Sequence, residues 1–582
     1  MKVLRVLWVL GGLLVQAYAL DREAFTFTSY NLDVRIEPEQ QRMSARGKIT
    51  LRNDSTLPEK NLSLQISSTL GWRSIQLNGQ PVEFVSQPYT SDIDHTGALS
   101  EALVTLPKDI PPKGMLELEV GYEGVIPLDA TRLTRIGVPA EVARHSDWDQ
   151  IGKSFSAVRG IGYVAWYPVA TESANLSETN SVFETVARWK AREAEAQLKI
   201  KLNRSGEGAP AIPMCNGETG GLRSSQQMGR AYESVNECTY QPLGETLPLF
   251  VTGAYESLDR PAIDISYISD HKAGAEKYAQ AAQQVVPFVT EWFGTPQGRE
   301  EVKPEVIELS DALAAPYESG SMLLTSLNID PKLAQFTAVH QLTHAAFFSP
   351  RPWIYEGLAH LAQAIYRERE SGRDAALDFM GLHRTAVADA EKATAEARRP
   401  SAGAAGLSIH DALVNTSVEE FYRSKAMYVW WMLRDMIGEI ALKKALAAYR
   451  SDADTAPAYL QHLLETQARR DLQWFFDDWV YRDRGLPDFR ASSVYPRKMT
   501  GNNYIVTVTV ENRGEAGAEV PVTLRMEGGQ VIHRLEVRAK SEAVIRFEAA
   551  SAPRELIVND GSVPESDMSN NVYKIEIPAE SN

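Results

Sequence analysis

The sequence predicts a multidomain chain in which a large antiparallel β region, a mixed α+β region and a small β-sandwich follow one another. Three observations carry that reading. Period-two alternation of apolar residues runs from about Phe25 to Tyr255. Helical spacing takes over near Ala275 and predominates from Asp330 to about Tyr481. Alternation returns at Tyr504, where Val506, Val508 and Val510, then Val520, Val522 and Leu524, are separated by Asn512-Arg513-Gly514. A chain of 582 residues is also too long for one hydrophobic core. The expected bounds are a leader over 1–19, a β domain over 20–256, an α+β domain over 257–485 and a β-sandwich over 486–582.

The leader is read from Lys2 and Arg5, an apolar stretch from Val6 to Val15, and the small-x-small site Ala17-Tyr18-Ala19. That build is a signal peptide, with an uncleaved anchor as the other reading. The stretch is far short of the roughly 20 residues that a spanning helix needs, and no later segment supplies one. The expectation is an exported protein, periplasmic or extracellular, with no integral membrane segment after cleavage. Net charge is −16 and grows more negative once Lys2 and Arg5 leave, which argues against a nucleic-acid partner.

Within the β region, Leu32, Val34 and Ile36, then Leu62, Leu64 and Ile66, then Leu116, Leu118, Val120 and Tyr122 mark strands, and Asn78-Gly79 marks a turn. Cys215 and Cys238 are the only cysteines. In an exported chain a pair is most simply a disulfide, worth on the order of 3 kcal/mol; two unrelated buried thiols are the alternative. In the α+β region, Ala275 to Phe293 predicts a helix ending at Gly294, and Val302 to Leu309 and Met322 to Leu327 predict strands. Arg398 to Gly406 reads as an internal loop.

Asp330-Pro331 is a helix start, an N-cap carboxylate before a first-turn proline, and Ser349-Pro350 ends the same helix. His340 and His344 therefore share one face, about one turn apart, and can converge on a single tetrahedral Zn²⁺. Two histidines at that spacing also suit a packed or solvated helix face, so the next segment decides. Pro352 and Trp353 open a second helix, and Glu356 lies as far beyond Pro350 as His344 lies before it. In an antiparallel helical hairpin the two sit at the same height, which makes Glu356 a third ligand and leaves a fourth position for water.

His340-x-x-x-His344 with Trp353-Ile354-Tyr355-Glu356-Gly357-Leu358-Ala359 resembles the gluzincin metallopeptidases, whose third ligand is the glutamate of a Trp-Leu-x-Glu-Gly-Phe/Leu-Ala segment. The order of parts is similar to that of the aminopeptidase N family. Tyr30 to Val34 resembles that family's opening strand, and Phe288 to Phe293 its helix leading into the catalytic sheet. The resemblance implies an N-terminal antiparallel β saddle, a thermolysin-like α+β domain, a C-terminal Ig-like β-sandwich, one Zn²⁺, and a peptide or protein as substrate or ligand. The interval from His344 to Glu356 is shorter than in aminopeptidase N and closer to the compact variants of the clan.

The family anchors a peptide's α-amine through a Gly-x-Met-Glu-Asn segment. Tyr317-Glu318-Ser319-Gly320-Ser321-Met322-Leu323 occupies that place, and the resemblance implies Glu318 as the anchor, while an alignment on Gly320-Ser321-Met322 puts Leu323 there instead. Phe421 to Leu433 resembles the helix that carries an oxyanion-stabilising tyrosine, here Tyr422, three residues before Lys425; a buried structural tyrosine is the alternative. Ser417 and Glu420 read as a capping box at its start. His360, one turn beyond Glu356, is read as a partner of the ligands, a substitute proton shuttle, or a helical-face residue with no metal role.

The general base of the His-Glu-x-x-His motif is missing, and Gln341 stands in its place. An amide holds a water by a hydrogen bond but has no basic site near neutral pH. A positioned general base contributes about 10² to 10⁴ in rate, so Gln341 leaves metal binding intact and removes most hydrolysis. Three readings follow: an exported zinc-binding, aminopeptidase-like protein that holds peptides and cleaves them poorly or not at all; an active metallo-aminopeptidase using another proton acceptor, such as Glu318 or His360; and a non-catalytic structural or interaction protein with a vestigial site.

Overall fold

The computed structural model describes residues 20–577 apart from 179–180, 209, 219–221, 245, 295–302, 321, 398–411, 417–419 and 500. The expected leader, the loop near 398–406 and Ser417 of the expected capping box lie outside the described residues. The chain forms two compact units: one of Met1–Val138, Asp149–Ser177 and Arg188–Val251, the other of Pro139–Trp148, Glu178–Ala187 and Thr252–Asn582. Among the described residues no helix is long and apolar enough to cross a membrane.

The first unit is built on an eight-stranded sheet with Phe25–Glu37 and Arg42–Asn53 near its middle. Leu32, Val34 and Ile36 are buried while Asp33 and Arg35 between them are exposed, as the alternation requires. The expectation of a wholly antiparallel sheet needs one correction. Phe25–Glu37 runs parallel to Gln197–Glu207, with Leu32 opposite Ile200. Alternation reports which face a residue takes and is blind to the direction of a neighbour so distant in the chain. Asn78 and Gly79, at φ of 53° and 75°, make the turn between Leu70–Leu77 and Gln80–Pro81. Cys215 and Cys238 form a disulfide with Cα atoms 6.5 Å apart.

The second unit contains a five-stranded sheet in the order Tyr255–Arg260, Ile263–Ile268, Glu305–Glu308, Met322–Thr325, Tyr317–Ser319. The three inner strands are parallel. The last, Tyr317–Ser319, is an antiparallel edge strand that places Glu318 opposite Leu323. The two predicted strands are shorter than expected: Lys303 and Pro304 precede the first, Leu309 follows it, and Ser326 and Leu327 follow the second.

Helix Lys272–Phe293 stops at Gly294, whose φ is 77°, and it packs against helix Pro331–Ala346. Asp330 caps the latter by accepting a hydrogen bond from the Lys332 amide at 2.8 Å. Helix Pro352–Ser371 follows after five residues. Ala338, Val339 and Leu342 from one helix and Trp353, Ile354, Leu358 and Leu361 from the other are buried in one cluster.

The C-terminal strands make two sheets, Phe489–Lys498, Tyr504–Asn512 and Ser541–Ala549 in one, and Gly529–Val537, Ala518–Met526, Pro553–Val558 and Val572–Lys574 in the other. They belong to the same compact unit as the helices. The Trp479 indole donates to the Gly517 carbonyl at 2.7 Å, tying the last helical segment to the loop between Tyr504–Asn512 and Ala518–Met526.

Candidate metal centre

Helix Pro331–Ala346 presents His340 and His344 to helix Pro352–Ser371, and their Nε2 atoms come within 3.1 Å of each other. Two protonated nitrogens do not tolerate that distance. Burial pushes the imidazoles down, His340 to about 4 and His344 to about 3, so both rings are neutral near pH 7 and present lone pairs. The Glu356 carboxylate lies opposite, Oε2 3.8 Å from His340 Nε2 and Oε1 3.7 Å from His344 Nε2.

The pair of helices is held in register at its turn. Arg351 donates from Nε to both carboxylate oxygens of Asp454 at 2.9 Å. Tyr449 donates to the same carboxylate at 2.6 Å and meets Ser349 Oγ at 2.9 Å. Gly357, next to Glu356, is needed for a close approach: a Cβ there lies 2.7 Å from Ala426 Cβ and 2.9 Å from Trp430 Cδ1. Trp430 in turn stacks on Trp353, with ring centroids 5.4 Å apart.

Glu318 reaches the same point from the sheet edge. Its Oε2 is 3.4 Å from His340 Nε2, and Glu318, His340 and His344 each offer a ligand atom within 4.8 Å of the others. Helix Ala140–Ser146 and the residues after it fasten the loop that leads into this strand. His145 Nδ1 meets Asp311 Oδ2 at 2.5 Å, the Ala315 amide donates to the His145 carbonyl at 2.7 Å, and the Trp148 indole donates to the Ala315 carbonyl at 3.0 Å.

The two carboxylates have opposite electrostatics. Burial pushes the Glu318 carboxyl up to about 8, and the charge of Glu356 adds to the shift. Burial acts on Glu356 in the same direction, but the Arg423 guanidinium and the imidazoles outweigh it and hold that carboxyl well below the usual range. Arg423 donates from Nε to Glu356 Oε2 at 3.1 Å.

Several residues around the cluster orient it. Gln363 lies near enough to the His340 ring to favour its protonated form slightly and donates from Nε2 to the Phe336 carbonyl at 3.1 Å. Tyr355 lies against His344 with ring centroids 3.8 Å apart and planes tilted by 30°. His360 lies with its ring 4.9 Å from that of His340, both ring nitrogens buried and without a hydrogen-bond partner, and burial pushes it well below the usual imidazole range. His340, Glu356 and His360 also bring ligand atoms within 4.8 Å of one another.

Gln341 turns towards the sheet. Its amide nitrogen is 3.4 Å from the Glu305 carbonyl, and its Oε1 is buried without a hydrogen-bond partner. Tyr422 is half-buried against the core of the unit. It lies in a π-helical turn, Glu420–Lys425, that precedes the helix Ala426–Ile437, and the residue of that turn that reaches the cluster is its neighbour Arg423. Lys425 points away into a buried ion cluster with Glu391 and Asp483.

Arg423 and Gln363 were missed by reading motifs. Gln363 had a signal, since Glu356, His360 and Gln363 make an i, i+4, i+7 stripe on one helix. Arg423 had none, because its distance to Glu356 depends on how two helical segments pack.

The donor set suits a divalent metal. Four-coordinate zinc, with bonds of about 2.0–2.1 Å, holds its donor atoms roughly 3.3 Å apart. The His340–His344 and Glu318–His340 donor pairs, at 3.1 and 3.4 Å, bracket that value, and the two Glu356 oxygens lie slightly farther, 3.7 Å from His344 and 3.8 Å from His340. Neutral imidazoles and carboxylates are also the donor types that zinc takes.

No family model matches the chain, and no curated protein matches it in sequence. Among solved structures it is similar to the crystal structure of Legionella pneumophila aminopeptidase A in complex with aspartic acid, at 12% sequence identity and a TM-score of 0.57. The fold is aminopeptidase-like. The match covers 93% of this chain and 59% of the neighbour, so the chain spans about three fifths of that protein's length.

Proposed function

We propose that this chain is an exported, zinc-binding protein of the metallopeptidase class, aminopeptidase-like, that binds peptides and hydrolyses them poorly or not at all. The observation that carries the reading is the placement of His340, His344 and Glu356 at the separations of metal-bound donors. The gluzincin resemblance of the same segment and the aminopeptidase-like fold support it.

A bound zinc supplies Lewis acidity and lowers the pKa of a coordinated water towards about 7. The chain's own residues do the rest. His340 and His344 would hold it through Nε2, with Gln363 and Tyr355 beside their rings. Glu356 adds charge, which Arg423 balances. Gln341 occupies the general base's position in the motif, and its amide, turned towards the Glu305 carbonyl, has no basic site to accept a proton.

The test is metal content together with turnover. Stoichiometric zinc is expected in the native protein and lost on His344→Ala. Native protein is expected to be nearly inert on aminoacyl and internally quenched peptides, with Gln341→Glu raising the rate about 10²- to 10⁴-fold. Strong native turnover that the glutamate does not improve contradicts the reading and puts the proton on another acceptor. A protein without stoichiometric zinc contradicts it at an earlier point and leaves a structural role.

A further inference from the structure

We propose that Glu318 is a fourth protein ligand, so that the metal centre is closed by His340, His344, Glu356 and Glu318 and has no standing vacancy for water. This rests on the zinc reading above and changes what the site does with its metal. An open peptidase centre keeps one position for water, and structural zinc sites fill all four positions with protein donors.

Geometry is the first ground. Glu318 Oε2 is 3.4 Å from His340 Nε2, nearer than either oxygen of Glu356 comes to the imidazoles. It falls within 4.8 Å of the His344 donor as well. That places it among the ligands at roughly the 3.3 Å edge of a zinc tetrahedron.

Unmet polar demand is the second ground. Glu318 Oε1 is buried with no hydrogen-bond partner. Tyr278 Oη, the neighbour that feels the Glu318 charge, is buried without one too. A buried carboxylate in that position is costly unless a cation comes to it.

Charge balance is the third. Glu356 is already paired with Arg423, and the two imidazoles are neutral. A divalent cation held by those groups alone brings two uncompensated charges into a buried site, and the Glu318 carboxylate cancels one of them. Its position is also firm, because the loop before Tyr317–Ser319 is fastened at Asp311 and Ala315.

The test uses full-length protein loaded with Zn²⁺ or Co²⁺ and acetohydroxamate, a metal-binding anion, as the probe. Zinc affinity is expected to fall at least about tenfold in Glu318→Gln and Glu318→Ala, given that removing groups beyond the ligands already costs 10- to 100-fold, with Glu318→Asp in between. The Co²⁺ absorption spectrum of the native protein is expected to be unmoved by acetohydroxamate at concentrations that shift the spectrum of Glu318→Ala. Far-UV circular dichroism checks that each variant is folded, and Glu318→Gln, nearest in volume, keeps the test readable if the alanine variant is not. A metal lost on His344→Ala but held at native affinity by the Glu318 variants, with acetohydroxamate reaching native Co²⁺ equally well, overturns the fourth-ligand assignment alone. Absence of stoichiometric metal in the native protein overturns the zinc reading and this proposal with it.

Discussion

Two clusters of buried charge lie in the second unit, and they differ in what completes them. In one, the Lys425 ammonium sits between the carboxylates of Glu391 and Asp483, with all three side chains almost fully buried. In the other, two imidazoles lie between two carboxylates, Glu318 on His340 and Glu356 on both rings, and among the described residues Arg423 is the cation that meets Glu356. In the first, the cation is supplied by the chain itself. The second contains more lone pairs than protons to meet them, which is the signature of a place prepared for a cation from outside. Burial and charge are common to both, so neither marks a functional site alone; the missing partner does.

The largest effect that tests this contrast is on the self-sufficient cluster. Lys425→Met leaves two carboxylates buried without their cation and is expected to cost about 3–5 kcal/mol in denaturant unfolding, with or without added zinc. A loss under about 1 kcal/mol ends the claim that the lysine completes this cluster. Burial pulls the Lys425 ammonium down, and Glu391 and Asp483 outweigh it, so it titrates above the ordinary lysine value. Its contribution is therefore full below about pH 10 and fades only as pH rises through that raised value.

The second cluster is expected to respond to metal instead. Zinc at about a hundred times its dissociation constant stabilises the native protein by roughly 2.7 kcal/mol, read as an upward shift of the thermal midpoint, and His344→Ala abolishes the shift. Chelation of the native protein is expected to lower the midpoint, and an unchanged midpoint after chelator treatment counts against the whole distinction. A smaller effect belongs to Gln363. Gln363→Leu removes the amide beside the His340 ring and is expected to weaken zinc about 10- to 100-fold, or roughly 1.4 to 2.7 kcal/mol, measured by competition with a chromogenic chelator. The smallest is Tyr355→Leu, which removes a ring lying against His344 and is expected to cost about 0.5–1 kcal/mol in the metal-loaded protein.

Much of the scaffold under the second cluster was legible in the chain because local rules govern it. Asp330 and Pro331 open a helix for reasons that involve only their neighbours, and the equal offsets of His344 and Glu356 from Pro350 follow from the shape of a helical hairpin. The convergence of Glu318 was not legible. It depends on an edge strand reversing at Gly320, whose φ is 63°, and on a loop fastened by residues 139–148, which lie far away in the sequence but in the same compact unit. Tyr422 shows the opposite limit. A family pattern drew attention to it, while packing brings its neighbour Arg423 to Glu356, and a one-residue difference along a π-helical turn is beyond what spacing in the sequence resolves. The parallel neighbour of Phe25–Glu37 was hidden for a related reason, since each residue's partner comes 168 positions later, as Ile200 does for Leu32 (200 − 32 = 168).

Gly357 has a bearing on how such a site is tuned. A glycine inside a helix is ordinarily a weakness of about 1 kcal/mol, yet here the missing methyl sets the thickness of the contact with Ala426 and Trp430, and the turn bearing Arg423 joins directly onto Ala426. The glycine therefore acts as a spacer of zero width between a carboxylate and its counter-ion. Widening that spacer by one carbon retunes how much negative charge Glu356 offers a cation, without altering any atom that touches it.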